Sequence, residues 1–165
     1  MTEIERIIDE LQREHSGEPW HGSPLRQILK GTTAAGGAAR PVPHGHSILE
    51  LVLHMTGWKN EVRKRLSGAP ASDPDGGDWP ETGEPSEERW RQALAALERA
   101  HTELVSEIRR FPEAKLAEPH NDPRAPGSKG VSYYVLLHGI VQHDVYHAGQ
   151  IALLKKPGAT AVRRD

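Results

Sequence analysis

Two histidines four residues apart, His143 and His147, are the strongest chemical signal in the sequence. They lie in a long, mostly apolar stretch from Tyr133 to Lys156 that lacks proline and is predicted to be a buried helix. At this spacing the two imidazoles lie one turn apart on the same helix face. Because neutral imidazole binds zinc, nickel, iron or copper through one ring nitrogen, the pair is a candidate for part of a metal site.

A third ligand has to come from elsewhere in the chain, and His54 is the best candidate. It lies three residues after Leu51 and four before Trp58, both on the predicted core-facing stripe of another helix. Three histidines on two facing helices can hold an ion and leave positions open for water and substrate. The alternative stays open that each histidine only hydrogen-bonds to a backbone carbonyl or packs between helices.

The His143–His147 pattern differs from the zincin motif, His-Glu-x-x-His, in which the glutamate acts as a general base. Asp144 stands in that slot here, one methylene shorter and about 100° around the helix from His143. We therefore interpret Asp144 as a surface group or a support for a ligand rather than a base. Gln150 shares the face of the two histidines, where it can bind a metal-bound water or ligand, or tie helices together as an inward amide.

Other polar and aromatic residues are weaker candidates for the same site. Glu50 lies one turn before His54 and can reach a metal ion, but a capping box with Ser47 explains it equally well. His101 interrupts an apolar stripe, either as an extra ligand or as a core histidine. Trp58 is a core anchor or a substrate platform.

The remaining histidines add little to a site. His138 is about 140° around its helix from His143 and should face elsewhere. His21, beside Trp20, is a weak candidate for a pocket wall. No Ser-His-Asp arrangement, phosphate-binding glycine loop or pair of carboxylates stands out in the chain.

The composition limits the classes of protein to consider. With 165 residues and a net charge of −2, the chain suits one domain over 1–165 and gives no sign of a nucleic-acid or membrane partner. It has no cysteine, so it has no disulfide or thiolate ligand of its own. The N-terminus lacks the pattern of a signal peptide and no apolar run reaches about 18 residues. We therefore expect a cytoplasmic protein.

Periodic apolar residues predict the elements that position these histidines. Thr2 with Glu5, and Ser47 with Glu50, are capping boxes, while Ser86 and Ser132 are further helix caps. Ser23-Pro24 suggests a short helix with proline at its first position. Long helices are predicted at about 2–16, 45–67, 86–111 and 132–156, with a connector at 31–43 that includes one more helical turn.

The connection at 69–85 is rich in glycine, proline and aspartate and is longer than usual between antiparallel helices. A connection of this length can cross a bundle and let the third long helix run parallel to the second. No alternating pattern typical of strands and no internal repeat is present. The sequence therefore predicts an all-α four-helix bundle with one long crossover.

Two segments resemble those of a known family. The run Ser47-Ile-Leu-Glu-Leu-Val-Leu-His54-Met-Thr-Gly-Trp58 and the run His143-Asp-Val-Tyr-His147-Ala-Gly-Gln150 are similar to motifs of the DinB/YfiT-like superfamily. The opening Trp20-His-Gly-Ser-Pro-Leu25 is also similar to the start of many members. The resemblance implies a four-helix bundle in up-down-down-up order with a long link between the second and third helices. It also implies a divalent-metal site at His54, His143 and His147.

The resemblance implies several functions. Similar proteins include transferases and isomerases that use a small thiol, bacillithiol or mycothiol, and others are described as metal-dependent hydrolases. We expect zinc or nickel, with iron as a further candidate, and a thiol-dependent S-transferase acting on a small electrophile. The alternatives are a hydrolase that uses a metal-bound water, and a non-catalytic, stress-associated metal-binding bundle. Family members often pair, so we expect a homodimer.

Overall fold

The structure, a computed structural model, describes residues 1–124, 127 and 129–156. A 3₁₀ turn at Glu113–Lys115 follows the fifth helix, and the described residues contain no β-strand, only one isolated bridge between Pro119 and Ser132. The described part of the chain is therefore all-α, as predicted. Its helices are α1 (Glu3–Ser16), α2 (Leu25–Leu29), α3 (Ala34–Ala38), α4 (Ile48–Leu66), α5 (Glu87–Arg110) and α6 (Tyr133–Leu154).

The long helices begin at the residues that the sequence predicts as caps. In each case the cap side chain accepts a hydrogen bond from the backbone N–H three residues further on, which satisfies one of the free donors of the first turn. The carboxylates of Glu5 and Glu50 complete capping boxes at α1 and α4 by accepting from the backbone N–H of the cap. The four caps are Thr2, Ser47, Ser86 and Ser132.

Two predicted helix boundaries are corrected. Pro24, not Ser23, is the N-cap of α2, and no side chain caps this helix, so the predicted boundary was one residue too early. Helix α6 ends at Leu154, with Lys155 as its C-cap. The Lys155 ammonium turns back and donates to the backbone oxygen of Lys30 at 2.7 Å. Pro157 and Gly158, which predict a helix end because proline cannot continue a helix, lie outside the described residues. The extra turn in the 31–43 connector is α3.

Two apolar clusters hold the long helices together. The first joins α1 to the later turns of α4 and α5 and the first turns of α6, with Leu11, Leu104 and Leu137 fully buried. The second joins α2 and α3 to the early turns of α4 and α5 and the last turns of α6, with Leu25 and Met55 fully buried. Burial of such side chains is the main favourable term in folding.

The apolar stripe of α1 is buried as its period predicts, and the stripe of α4 differs at one position. Ile4, Ile7, Ile8 and Leu11 of α1 are all buried. On α4, Trp58 is only half-buried because the neighbouring Lys59 takes the core position, with none of its surface exposed. A lysine in this position needs a buried counter-charge, since an unpaired buried charge is very unfavourable.

Polar contacts link the four long helices at defined levels. They join the start of α1 to the start of α6 and to the residues after α5, and the end of α1 to the middle of α5. They also join the end of α4 to the later part of α5. These contacts are Glu3 with His138 and Glu113, His15 with Glu98, Arg63 with Glu103, and Ser67 with Glu107.

None of the helices among the described residues is long and apolar enough to cross a membrane.

Candidate metal centre

Helices α4 and α6 bring His54, His143 and His147 together, as the sequence predicts. One potential ligand atom from each residue lies within 4.8 Å of those of the other two. His143 Nε2 is 2.9 Å from His54 Nε2 and 3.2 Å from His147 Nε2. Nitrogen ligands of a tetrahedral zinc ion are about 3.3 Å apart, given Zn–N bonds of about 2.0 to 2.1 Å. The three nitrogens are therefore positioned to bind a metal ion.

Hydrogen bonds fix the orientation of two of the rings. His54 Nδ1 lies 2.7 Å from the backbone oxygen of Asp78, and His147 Nδ1 lies 2.6 Å from the side-chain oxygen of Gln150. Because both partners are acceptors, each Nδ1 carries the hydrogen and each Nε2 presents a lone pair. Metal-binding histidines are held in this way by hydrogen-bond acceptors that do not themselves bind the ion.

Hydrogen bonding among the three imidazoles cannot satisfy all of these lone pairs. A proton on His143 Nε2 can be donated to His54 or to His147, but not to both. If the proton is on His143 Nδ1 instead, three lone pairs face one another with no donor between them. A cation at the centre satisfies all three, so the donor set fits a divalent ion that prefers nitrogen ligands.

The electrostatic surroundings keep two of these ligands neutral. His54 is 5% exposed and His147 is 6% exposed. Burial lowers the pKa of His54 below its usual value, and burial lowers the pKa of His147 to about 4, with His143 and His54 adding to the effect. Both imidazoles are therefore uncharged at neutral pH, which is the form that binds metal ions.

The crossover between α4 and α5 forms one wall of the centre. Trp79 stacks on His54, with ring centroids 4.0 Å apart and planes at 7°. Its other face stacks on His46 at 3.4 Å. The Asp78 carboxylate accepts a hydrogen bond from the Trp58 indole at 2.8 Å, while its backbone oxygen holds His54. The crossover therefore both orients a ligand and covers it.

An apolar groove of about 300 Å³ opens beside His143. Trp58 and Val62 of α4 form one side, and Val135, Gly139 and other residues of α6 form the opposite side. His143 is 25% exposed, in contrast to the two buried ligands. A small apolar molecule bound in this groove would lie against the ring of one candidate ligand. Trp58 also packs against the first apolar cluster, so it is a core anchor as well as a wall of the groove.

The structure separates the other candidates from the three histidines. The Glu50 carboxylate binds the Ser47 backbone N–H and Arg40, so the capping interpretation holds. His101 stacks on His15 with ring centroids 3.8 Å apart, and it is not one of the grouped ligands.

Three further assignments are settled by exposure and contacts. His138 faces α1, where it pairs with Glu3, as expected. His21 and Trp20 are both exposed, so His21 is not supported as a pocket wall. Asp144 is fully buried, so the surface alternative for it was wrong.

Sequence reasoning missed Asp78, Trp79 and Lys59. A lone tryptophan in a loop of glycine, proline and aspartate was a signal for Trp79, because such a ring seldom stays in solvent without a partner. Lys59 was signalled by its position four residues after Met55 and three before Val62, on the core stripe. The carbonyl of Asp78 had no signal, since any residue supplies that group.

A family model described as the DinB superfamily matches residues 20–151, and thus most of the chain. The chain belongs to the DinB superfamily. The match confirms the resemblance noted in the sequence, and it includes all three histidines. No significant match was found among curated proteins or among solved structures. The DinB superfamily is metal-binding, which agrees with the geometry of His54, His143 and His147.

Proposed function

We propose that this DinB-superfamily protein is a divalent-metal-dependent enzyme whose ion is held by His54, His143 and His147. The observation that carries the proposal is the convergence of three imidazole nitrogens, two of which have their second nitrogen bound to an oxygen acceptor. Zinc and nickel suit such a site best, and iron is a further candidate. We propose a cytoplasmic location.

An ion held by these three histidines would keep coordination positions open for a substrate or water. Structural zinc sites have four protein ligands, whereas catalytic sites have three and an open position. Glu50 and His101, the two candidates for a fourth ligand, are engaged elsewhere. Such an ion would act as a Lewis acid and lower the pKa of a thiol or water bound to it. These features favour an enzyme over a purely structural metal site.

We propose that the reaction is S-transfer from a small thiol to a small, largely apolar electrophile. The chain has no cysteine, so the sulfur has to come from a separate molecule. The groove beside His143 would bind the apolar part of the electrophile against Trp58. Asp78 and Gln150 would keep His54 and His147 oriented, and Trp79 would exclude water from one side. Hydrolysis at the same ion and a non-catalytic metal-binding role are the alternatives.

We also propose that the helices form one domain, a bundle in up-down-down-up order. Helix α1 lies outside the family match, yet its start contacts the start of α6 and its end contacts the middle of α5. These contacts support a parallel α1–α6 pair and an antiparallel α1–α5 pair. Contacts of Arg63 with Glu103 and of Ser67 with Glu107 support a parallel α4–α5 pair joined by the long crossover.

Metal analysis of purified protein tests the central proposal. Wild-type protein is expected to bind about one divalent ion per chain, and His143→Ala is expected to bind at least tenfold more weakly, because one of three ligands is lost. His138→Ala is the matched control, a half-buried histidine on the same helix that faces α1. If wild type binds no ion in the presence of zinc, nickel and iron, the proposal is wrong.

A thiol screen then separates the two reactions. Metal-loaded protein is given an apolar electrophile with and without small thiols, and both the thioether and the hydrolysis product are measured. Thioether formation that requires thiol, metal and His143 supports S-transfer. Turnover at the same rate without any thiol supports the hydrolase, and no turnover with tight metal binding supports the non-catalytic role.

A further inference from the structure

His143 differs from the other two candidate ligands in its second ring nitrogen. His54 and His147 each donate from Nδ1 to an oxygen, at 2.7 and 2.6 Å. His143 Nδ1 is buried and has no hydrogen-bond partner among the described residues. A metal-binding histidine almost always donates its other N–H to an acceptor, which fixes the tautomer. Of the three candidate ligands, His143 is therefore the one whose Nδ1 needs a hydrogen-bond acceptor.

Asp144 supplies an oxygen at the right place. Its Oδ1 lies 3.9 Å from His143 Nδ1 and, within the described part of the chain, is itself a buried acceptor without a hydrogen bond. Two unpartnered groups of complementary type thus face each other. A shift of about 1 Å brings them to the usual length of a charge-assisted hydrogen bond, about 2.8 Å.

Lys59 fixes the other side of the Asp144 carboxylate. The Lys59 ammonium forms a short ion pair with Asp144 Oδ2, and both side chains have no exposed surface. A buried ion pair of this kind contributes little net stability compared with an apolar pair of the same volume. Stability alone therefore does not explain its position beside a candidate metal ligand.

We propose that Asp144 accepts the Nδ1–H of His143 when a metal ion binds, and that Lys59 holds Asp144 in place for this role. Lys59 and Asp144 are thus positioning residues that act on the ion through His143. The inference rests on the proposed metal site. Asp144 would then support His143 as Asp78 and Gln150 support the other two ligands. Lys59, a core residue of α4, would act on the site through its ion pair with Asp144.

The substitution Asp144→Asn provides a directional test. The Lys59 ammonium can only donate, so it would hold the amide oxygen of the new side chain, and the amide NH₂ group would then face His143. His143 Nδ1 would have to accept, and its proton would move to Nε2, where it blocks the metal. We expect a 10- to 100-fold loss of metal affinity, measured by competition with a chelator.

Two further variants separate this effect from general damage to the core. Glu61→Gln is the matched control, because it also changes the carboxylate of a buried ion pair on α4, with Arg65, to an amide. It should leave metal affinity within about twofold. Lys59→Met combined with Asp144→Asn removes the ammonium, so the amide can turn its oxygen to His143. This double variant should recover most of the affinity lost in Asp144→Asn.

Two results with these variants would overturn the proposal. It fails if Asp144→Asn binds metal as wild type does, or if the double variant is as weak as the single one. The hydrogen bond itself can be read in zinc-loaded protein from the shift of the His143 Nδ1 proton. Wild type should show this proton shifted strongly downfield by the Asp144 carboxylate, and zinc-loaded Asp144→Asn should lose most of that shift. A wild-type Nδ1 proton without the downfield shift refutes the positioning role, whereas absence of metal binding alone refutes the proposed function.

Discussion

At the scale of single residues, Glu14 is a carboxyl group that the fold buries without a partner. It is 1% exposed, and neither of its oxygens is hydrogen-bonded within the described part of the chain. Burial, with a further contribution from the charge of Asp144 and an opposing one from Lys59, raises the pKa of Glu14 to about 8. Glu14 is therefore mainly protonated at neutral pH, and the Lys59–Asp144 pair remains balanced.

This pKa predicts how the stability of the protein depends on pH. The native state keeps the Glu14 proton to higher pH than the unfolded state, so the contribution of this group is fully present below about pH 4.5. It is lost as pH rises toward about 8. Between these values the free energy of unfolding should fall by about 1.4 kcal/mol per pH unit on account of Glu14.

Glu14→Gln should remove this slope, because the amide does not titrate. The difference in unfolding free energy between the variant and wild type should therefore grow in favour of the variant from pH 5 to pH 8. Urea unfolding at several pH values measures it. Glu18→Gln, at an exposed carboxylate just after α1, is the control and should leave the slope unchanged. Equal slopes for Glu14→Gln and wild type would refute the assignment.

At the scale of elements, the crossover between α4 and α5 is part of the metal centre. Asp78 and Trp79, near its middle, contact His54 from two directions. Metal binding at Nε2 makes Nδ1–H a stronger donor, so it should strengthen the bond from His54 to the Asp78 oxygen. The crossover is thus expected to become more ordered when the site is filled.

Amide hydrogen exchange tests this coupling between the site and the crossover. Addition of a divalent ion to wild type should slow exchange in residues 76–82 several-fold. In Trp79→Ala this region should exchange faster, and the metal should protect it less, because the ring stacked on His54 is gone. Trp20→Ala, at a fully exposed tryptophan, is the control and should behave as wild type. If the metal protects residues 76–82 equally in Trp79→Ala and wild type, the Trp79 ring does not couple the crossover to the site.

At the scale of the whole molecule, α6 carries four exposed apolar or aromatic side chains on one side. Tyr134, Val135, Tyr146 and Leu153 are 46%, 50%, 65% and 57% exposed. Their spacing places them within about a third of the helix circumference, over a length of about 30 Å. Gln142 and Gly149 lie between them on the same side, so the exposed apolar surface forms two patches. Exposed apolar patches mark candidate protein interfaces. On this basis we propose that the protein forms a homodimer through α6.

Light scattering after size-exclusion chromatography measures the oligomeric state. Wild type should elute as a dimer of about twice 18.2 kDa. Tyr134→Glu should shift the equilibrium to monomer, since it places a charge within an apolar contact. Trp20→Glu changes a fully exposed aromatic residue outside α6 and should remain dimeric. A monomeric wild type at high concentration would exclude this interface.

The sequence alone determined the helices and two walls of the site. Caps and apolar periods are local signals, because a serine with a glutamate three residues later acts within one turn. Thr2, Ser47, Ser86 and Ser132 were therefore found correctly. The i, i+4 spacing likewise fixed His143 and His147 on one face of α6. The family motifs added His54, which periodicity had already placed on the core side of α4.

Only the tertiary structure decided which groups support the histidines. The Asp78 carbonyl, in the 20-residue connection after α4, accepts from His54, and Trp79 stacks on the His54 ring. Lys59 pairs with Asp144, which lies 85 positions later in the chain. None of these pairs has a local signature, because each depends on how helices and the crossover pack. Asp144 illustrates the limit: its place next to His143 was plain in the sequence, but its full burial and its ion pair with Lys59 were set by the packing of α4 against α6.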